Sequence, residues 1–471
     1  MERFVKHVRR PAGGLSSRRA SHAAALAGSL FFAMSAVCAP ASLPPPVASA
    51  LRDAGIPVEG LALVVQEVGA AAPLIAHRPD VAMNPASVMK LVTTFTALDA
   101  LGPAFAWKTE AYVEGELKDQ VLTGNLILKG YGDPKITLEN FWLFLREMRQ
   151  KGLRDIKGDL VLDHSYFSSG GHDPGQFDEQ PLRAYNVGPD ALLVNFKTVR
   201  FVLVPDADNR RVAVRAEPPL PGLSLRSALK LTSGECGDWK ATTKAAFTSN
   251  GDKAEAAFGG TYALSCGEQN WYVSLMSHSG YAGAMFRQLW QDAGGTLAGQ
   301  ARAGAAAQNA RLFATLTSPQ LAEIVRDINK FSNNVMARQL FLTLDAQING
   351  PPATTERAGS TVRDWLKQRG LNFPELVIEN GAGLSRSDRL SAGHLTQLLQ
   401  TAFASPIMPE FMSSLPLSAV DGTMKRRLRA TGAAGQAHIK TGTLEGVRAA
   451  AGYVQDASGR RWTVVAIVNH P

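Results

Sequence analysis

A helix start is encoded in the segment NPASVMKL, which occupies residues 84–91. Asn84 is of a residue type that caps helices, and Pro85 suits the first helical position. Apolar residues then recur with the period of about 3.6 that is typical of an amphipathic helix, at Val88, Leu91, Val92, Phe95, Leu98 and Leu101. Because Gly102-Pro103 ends this pattern, the sequence predicts one amphipathic helix with Ser87 in its first turn.

A serine and a lysine share one face of this predicted helix, since Ser87 and Lys90 are three residues apart. A serine hydroxyl is a weak nucleophile until a base removes its proton. Lysine can be that base where burial or a neighbouring cation lowers its pKa. The backbone N–H of Ser87, in the first turn, has no intrahelical acceptor and can stabilise an oxyanion. The segment therefore predicts a nucleophile, its base and one oxyanion donor.

The Ser-x-x-Lys pattern is short, and a second copy occurs at Ser227 and Lys230. That copy follows a proline-rich turn at residues 218–221 and has neither a cap nor an amphipathic helix around it. We therefore interpret it as a chance match and keep Ser87 as the candidate nucleophile.

A second polar motif, Ser332-Asn333-Asn334, follows a predicted amphipathic helix at residues 318–331. A serine hydroxyl close to a lysine can relay a proton to a leaving amine. The NH₂ group of Asn334 can donate to a substrate carbonyl. Taken alone, the motif fits a capping serine at a helix start better than it fits a catalytic group.

A third motif, Lys440-Thr441-Gly442-Thr443, stands beside a strand-like segment at residues 447–454. A cation next to a hydroxyl suits a substrate carboxylate, and a glycine permits close approach of a substrate backbone. An edge strand here would also accept an extended peptide by strand addition. The alternative for this motif is a surface turn.

The three motifs in this order, Ser-x-x-Lys, Ser-x-Asn and Lys-Thr-Gly, resemble the serine penicillin-binding enzymes. The segments NGAGLSR at 380–386 and VDGTM at 420–424, and the gap of about 240 residues between the first two motifs, resemble more closely one family among them. It is the D-alanyl-D-alanine carboxypeptidase/endopeptidase family, serine peptidase family S13, whose members are class C low-molecular-mass penicillin-binding proteins similar to penicillin-binding protein 4. One departure is Asn380, where this family is expected to carry an aspartate.

The resemblance implies a role for each motif residue. Ser87 would be acylated with Lys90 as its base, and Ser332 and Asn334 would relay a proton and position the substrate. Lys440 and Thr441 would bind the substrate carboxylate beside Gly442, while the N–H groups of Ser87 and Thr443 would form the oxyanion hole. The implied substrates are peptidoglycan stem peptides, β-lactams would act as inhibitors, and no cofactor is implied.

The expected fold class is α/β (α+β), a serine β-lactamase/DD-peptidase-like transpeptidase domain that is interrupted by a largely β insertion. We place the first part of this domain at residues 42–106 and the second part at 276–471. Between them we expect an inserted α/β subdomain at 107–190 and an inserted β-rich subdomain at 191–275.

Residues 1–41 are predicted to be a cleaved secretory signal peptide, with basic residues before an apolar stretch and an Ala-x-Ala pattern at Ala39 and Ala41. The formal net charge of +8 falls to +3 without them, which argues against a nucleic-acid partner. We expect a periplasmic protein with at most peripheral membrane contact. The sequence leaves the oligomeric state open, with a homodimer as one alternative. The alternative is an uncleaved anchor.

Two cysteines remain after residue 41, Cys236 and Cys266, and in an exported protein they are expected to form a disulfide. The alternative is a pair of buried thiols. Scattered histidines without a metal-binding motif predict no metal site.

Two rival functions stay open from the sequence. A β-lactamase or esterase on the same fold would turn over many β-lactams per active site. A catalytically silent peptidoglycan-binding protein would form no covalent penicillin adduct.

Overall fold

The computed structural model describes residues 43–168 and 171–471, so the predicted signal peptide lies outside the described residues. None of the helices in this part combines the length and apolar content that a bilayer crossing needs. The α-helices are α1 Pro45–Asp53, α2 Lys90–Leu101, α3 Leu138–Gln150, α4 Trp239–Thr242, α5 His278–Asp292, α6 Leu321–Phe331, α7 Asn334–Asn349, α8 Thr355–Gln368, α9 Ala392–Ala404 and α10 Met408–Ser414.

The strands fall into groups at the two ends of the chain and in its middle. They are β1 Leu61–Glu67, β2 Ile75–His77, β3 Lys108–Lys118, β4 Val121–Gly130, β5 Asp155–Ile156, β6 Leu160–Asp163, β7 Val199–Asp206, β8 Arg211–Glu217, β9 Leu223–Ser227, β10 Lys230–Thr232, β11 Ala246–Asn250, β12 Lys253–Phe258, β13 Thr261–Ala263, β14 Gln269–Val273, β15 Thr296–Leu297, β16 Ala301–Ala303, β17 Arg311–Thr317, β18 Ala437–Leu444, β19 Val447–Gln455 and β20 Arg461–Asn469.

The first and last strands of the described chain form one antiparallel sheet in the order β18-β19-β20-β1-β2. β1 pairs with β20, with Leu61 opposite Val468 and Glu67 opposite Trp462. The alternation of apolar residues in these strands buries one face against the helices. β18, which carries the Lys-Thr-Gly motif, is an edge strand of this sheet.

The helix α2 lies at the centre of the helical layer that covers this sheet. Its residues Lys90 to Leu98 are all buried, including threonines that interrupt the predicted apolar stripe. The ring of Phe95 meets Trp365 of α8 edge-on and Phe411 of α10 at a tilt, with centroid distances of 5.5 and 5.4 Å. Burial on all sides fixes the position of α2 and of the serine that precedes it.

The first inserted subdomain is a mixed sheet in the order β15-β5-β4-β3-β17, with β6 between β4 and β16. Strands from residues 296–317 therefore pair with strands from residues 108–163. Buried residues of α5, such as Phe286 and Trp290, share one core with α3. Residues 278–317, which we expected in the second part of the peptidase domain, thus pair and pack with residues 108–163.

The second inserted subdomain consists of two sheets, β13-β10-β8-β7-β14 and β11-β12-β9. Its core is aromatic, with Trp271 against Trp239, Phe247 and Phe258 at centroid distances of 5.7, 5.4 and 6.3 Å. A disulfide joins Cys236 and Cys266, which are 30 residues apart. This subdomain is β-rich, as the short alternating segments predict.

We predict that replacing both cysteines, Cys236→Ser with Cys266→Ser, lowers the free energy of unfolding of this subdomain. Opening a loop of this length costs about 3 to 4 kcal/mol on the chain-entropy estimate. Urea unfolding without reductant, followed by tryptophan fluorescence, measures the change. Wild-type protein in reductant is the control, and an unchanged urea midpoint in the double variant would contradict the prediction.

Candidate active site

The turn that carries Ser87, the predicted nucleophile, differs from the predicted helix start. Ala86–Met89 form a 3₁₀ helix and α2 begins only at Lys90. Ala86 has a φ of +48°, a left-handed conformation that a regular helix from Pro85 onward cannot contain. Asn84 therefore does not cap a helix: its Oδ1 accepts from the N–H of Ala86 at 2.9 Å and its Nδ2 donates to Ser385 O at 2.8 Å.

Two glycines allow other backbone segments to press against this turn. A Cβ on Gly442 would lie 2.7 Å from Pro85 O and 3.1 Å from Ser87 N. A Cβ on Gly383 would overlap the carbonyl of Ala86, and Gly383 also has a φ of +71°. Gly442 is thus needed for packing of β18 against the serine turn, in addition to any approach by substrate.

The Lys90 side chain is fully buried and connects three parts of the site. Its Nζ lies 3.1 Å from Ser87 Oγ and 2.6 Å from Asn334 Oδ1, and it also donates to the carbonyl of Ala382. Burial lowers the pKa of Lys90 well below its ordinary value, and the cations of Lys440 and Arg338 lower it further. A neutral amine beside a serine hydroxyl is a competent base.

The Ala382 carbonyl is placed by a turn around Asn380. The Oδ1 of Asn380 accepts from Ala382 N at 3.0 Å and its Nδ2 donates to Leu384 O at 2.9 Å. A carboxylate could not donate the second bond. Asn380, which stands where an aspartate is expected in the resembling family, therefore has a structural role in the turn next to Lys90.

A second buried pair, Lys440 with Ser332, stands close to the first. Lys440 Nζ donates to Ser332 Oγ at 2.8 Å and to Thr441 O at 2.8 Å. Burial lowers the pKa of Lys440 to about 7. Because Lys440 donates to Ser332, the hydroxyl proton of Ser332 is directed elsewhere and can be given to a substrate atom.

Ser332 lies at the sharp corner between α6 and α7. It has a φ of +56° in the left-handed region, where it ends α6. Asn333 then caps α7, since its side chain accepts from Met336 N at 3.0 Å. This corner places Asn334, the first residue of α7, with its Oδ1 on Lys90 and leaves the amide donor end for another acceptor.

The remaining motif residues lie on β18. Thr441 is buried, and its Oγ1 donates to Thr423 Oγ1 at 3.1 Å. Thr443 is exposed on the same strand, opposite Arg448 of β19. Thr423 belongs to the segment 420–424 that carries part of the family resemblance, and its contact with Thr441 makes it part of the site wall.

Two charged residues near Lys90 were missed by the sequence analysis. Arg338 is buried on α7 and donates to Val187 O at 2.9 Å, and burial lowers its pKa to about 10. Asp388 is fully buried with Oδ1 accepting from Glu379 N, and burial raises its pKa to about 7. The spacing of four residues from Asn334 to Arg338 indicated a shared helix face. No sequence signal pointed to Asp388.

The second Ser-x-x-Lys copy has no catalytic geometry. Ser227 ends β9 and Lys230 begins β10, and both are exposed in the β-rich subdomain. Among the described residues, no group of three or more His, Cys, Asp or Glu side chains is arranged to hold a metal ion.

Comparison with known proteins identifies relatives over most of the chain. Residues 44–471 match the D-Ala-D-Ala carboxypeptidase 3 (S13) family. The D-alanyl-D-alanine carboxypeptidase of Actinomadura sp. (strain R39) is 30% identical over 392 residues, which is 80% of this chain and 71% of that protein. The D-alanyl-D-alanine carboxypeptidase DacB of Haemophilus influenzae is 25% identical over 397 residues, 82% of this chain and 80% of that protein.

A solved structure shows the same fold. Penicillin binding protein 4 from Haemophilus influenzae superposes with a TM-score of 0.75 at 22% identity, over 87% of this chain and 90% of that one. The α/β fold class with an inserted β region, which the sequence predicts, is confirmed.

We predict that Arg338→Met moves the rising limb of the pH–rate profile for Ser87 acylation to higher pH. Removing this cation lets Lys90 keep its proton to higher pH, so at pH values below the midpoint the rate falls severalfold. The rate with a neutral activated ester is measured from pH 5 to 9, and Arg338→Lys, which keeps the charge, is the control. If the pH–rate profile of Arg338→Met superposes on that of the wild-type protein, Arg338 does not have this electrostatic role.

Proposed function

The chain belongs to the D-Ala-D-Ala carboxypeptidase (S13) family, and on that premise we propose that it is exported and hydrolyses peptidoglycan stem peptides through an acyl-enzyme on Ser87. The observation that carries the proposal is the 3.1 Å approach of Lys90 Nζ to Ser87 Oγ in a buried site where the lysine pKa is strongly lowered. The same chemistry would cleave the terminal D-Ala or a cross-link, since both are amides of a D-Ala carbonyl.

In the proposed acylation, neutral Lys90 takes the proton of Ser87 while Ser87 Oγ bonds to the D-Ala carbonyl carbon. The N–H groups of Ser87 and Thr443 would donate hydrogen bonds to the developing oxyanion. Collapse breaks the C–N bond, and the leaving amine takes the hydroxyl proton of Ser332, which Lys440 orients. The proton that Lys90 took from Ser87 replaces it, so Lys90 is neutral again. Water then attacks the ester, one of its protons passes to Ser87 Oγ as the C–O bond breaks, and the acid is released.

Substrate binding in this proposal uses the edge strand and two side chains. The substrate backbone extends along β18 by strand addition, with the amide donor of Asn334 on a substrate carbonyl. Charged Lys440, with Thr441, binds the terminal carboxylate. β-Lactams would acylate Ser87 in the same manner, and a structure of the Haemophilus influenzae relative contains a novel β-lactam.

One reagent, penicillin, distinguishes the proposed function from its two rivals, a β-lactamase or esterase and a silent binding protein. We predict that penicillin adds one penicilloyl group to the wild-type protein and none to Ser87→Ala, because Ser87 lies beside Lys90, whose pKa burial lowers strongly, whereas Ser332 accepts a hydrogen bond from Lys440. Intact mass spectrometry measures the adduct, and Ser227→Ala, which alters the second motif copy, is the matched control.

Each outcome of that experiment has a distinct meaning. No adduct on folded wild-type protein would indicate the silent binding protein. An adduct that also forms on Ser87→Ala would mean that another serine is the nucleophile. Many turnovers of nitrocefin per site, with no accumulating adduct, would indicate a β-lactamase.

We further predict that kcat/KM for a peptide with a free terminal carboxylate falls above pH 7. Lys440 has a pKa of about 7 in the free enzyme, so it carries its charge below that pH and loses it above. The profile of kcat/KM reports groups of the free enzyme. A depsipeptide blocked as its methyl ester is the control and should lack this falling limb; equal falling limbs for the two substrates would contradict carboxylate binding by Lys440.

A further inference from the structure

A serine, a histidine and an aspartate outside the Ser87 site form a hydrogen-bonded series. The Oγ of Ser279 lies 3.0 Å from Nε2 of His164, and Nδ1 of the same ring lies 2.6 Å from Oδ1 of Asp190. None of these residues belongs to the three motifs that compose the Ser87 site. A hydroxyl, an imidazole and a carboxylate in this order are the parts of a serine hydrolase triad, which is recognised by geometry and not by position in the sequence.

The protonation of this series follows from the aspartate. Burial raises the pKa of Asp190, but the hydrogen bond with His164 and the charges of the neighbouring histidines outweigh burial, so this pKa lies below its ordinary value. An ionised carboxylate only accepts hydrogen bonds, so Nδ1 of His164 carries the proton. In the neutral ring Nε2 is then the acceptor, and Ser279 donates to it. This tautomer allows the histidine to take a proton from the serine.

The turn that carries His164 follows β6 and is held by the residue before it. The carboxylate of Asp163 accepts from the N–H groups of Ser165 and Ala306, each at 2.9 Å. Asp190 is fixed in the same way, since its Oδ1 also accepts from Leu192 N at 2.8 Å. The base and the carboxylate are therefore both positioned by their own backbone surroundings.

The serine is positioned by the start of α5. Ser279 is the second residue of this helix, and Ser277 caps the helix by accepting from Gly280 N at 2.9 Å. The helix lies tightly against β16, because a Cβ on Gly283 would lie 2.5 Å from the Cβ of Ala301. β16 pairs in turn with β6. The helix start and the His164 turn are thus fixed relative to each other, as a catalytic array requires.

The first turn of α5 also offers donors for an oxyanion. The first N–H groups of a helix have no intrahelical acceptor, and here the Ser277 side chain accepts that of Gly280. The N–H groups of His278 and Ser279 lie beside it, at the positive end of a helix of 15 residues. In the proposed function Ser87 uses its own N–H group for the same purpose.

The series runs from the interior to the surface. Asp190 is buried, the His164 side chain is 20% exposed and Ser279 is half-buried. This limited exposure suits a short acyl group. The three side chains also lack a cation beside the serine of the kind that Lys440 supplies for a peptide carboxylate at the Ser87 site. Uncharged esters therefore fit this site better than stem peptides or penicillin.

We propose that Ser279, His164 and Asp190 form a second hydrolytic site, which cleaves uncharged esters of short carboxylic acids independently of Ser87. Ser279 Oγ bonds to the acyl carbon while its proton passes to Nε2 of His164. The C–O bond of the ester breaks, and the alcohol leaves with the proton from His164. Water then bonds to the acyl carbon and gives a proton to His164, which returns it to Ser279 Oγ as the acid departs.

The first test uses Ser87→Ala protein, so that any remaining reactivity belongs to a different nucleophile. A fluorophosphonate transfers its phosphonyl group to the oxygen of an activated serine and releases fluoride. We expect one phosphonyl group per chain, which fragment-ion sequencing of the tryptic peptide assigns to Ser279. No adduct on this folded protein, or an adduct on a different residue, would overturn the proposal, even if the Ser279→Ala variant does not fold.

Hydrolysis of p-nitrophenyl acetate by the same Ser87→Ala protein is the second test. We expect that adding Ser279→Ala lowers the rate about a hundredfold, which is the usual scale for loss of assisted nucleophilic attack. The matched control is Ser413→Ala, which changes an exposed serine of α10 that bonds to Glu410 O and should leave the rate unchanged. Equal rates with and without Ser279 would overturn the proposal.

A third measurement separates a base from a structural histidine. In the Ser87→Ala background, His164→Ala should lower the rate about a hundredfold, and added imidazole should restore part of it by entering the space that the ring leaves. Imidazole should restore nothing when Ser279→Ala is present as well. A folded His164→Ala protein that imidazole does not rescue would overturn the role of His164 as the base.

Discussion

Two lysines buried within one site impose the constraint on which the rest of this structure depends. Lys90 and Lys440 are both fully buried, and placing an unpaired charge in such surroundings costs several kcal/mol. The nearby Asp388 compensates Lys90 only in part, because burial raises its own pKa to about 7. The state of lowest free energy is one in which Lys90 is neutral. A neutral amine 3.1 Å from a serine hydroxyl is what nucleophilic catalysis requires.

Burial of this depth requires that backbone segments from distant parts of the chain approach closely. Gly442 on β18 lies against Pro85 and Ser87, and Gly383 lies against Ala86. These contacts bring together residues about 300 and 350 positions apart in the sequence. Side chains at either glycine would push the sheet edge or the 380–386 turn away from the serine, and water would then enter and restore the ordinary basicity of the lysines.

The three motifs could be found from the sequence because each one combines local chemistry with a local structural signal. The site residues that the sequence missed act through long-range contacts: Arg338 and Asp388 affect Lys90 only after α7 and the segment after residue 386 have packed beside α2. The helix start at Asn84 was predicted wrongly for the same reason. Asn is a residue type that often caps helices, but the Asn84 side chain bonds to Ser385 and Ala86 instead, and no local rule reveals the contact with Ser385.

Strand pairing in the insertion illustrates how far the fold could be predicted from the sequence. Short alternating segments predicted a β-rich insertion, but they do not identify the partner of each strand. The pairing of β15, β16 and β17 with strands of the first subdomain was therefore missed. Sequence periodicity reports the burial of a strand and not the identity of its neighbour. The β-rich character of the insertion was therefore predictable, whereas the pairing of its strands was not.

The inserted subdomain also holds the helix that carries Asn334. Gln339 of α7 accepts from Asp190 N and donates to Asp190 O, both at 2.8 Å in a buried setting, and Arg338 donates to Val187 O. The same helix thus positions Asn334 on Lys90, brings the Arg338 cation near that lysine and is fixed by residues 187–190. A shift of residues 187–190 would displace the amide and the cation together, so the basicity of Lys90 depends on this contact.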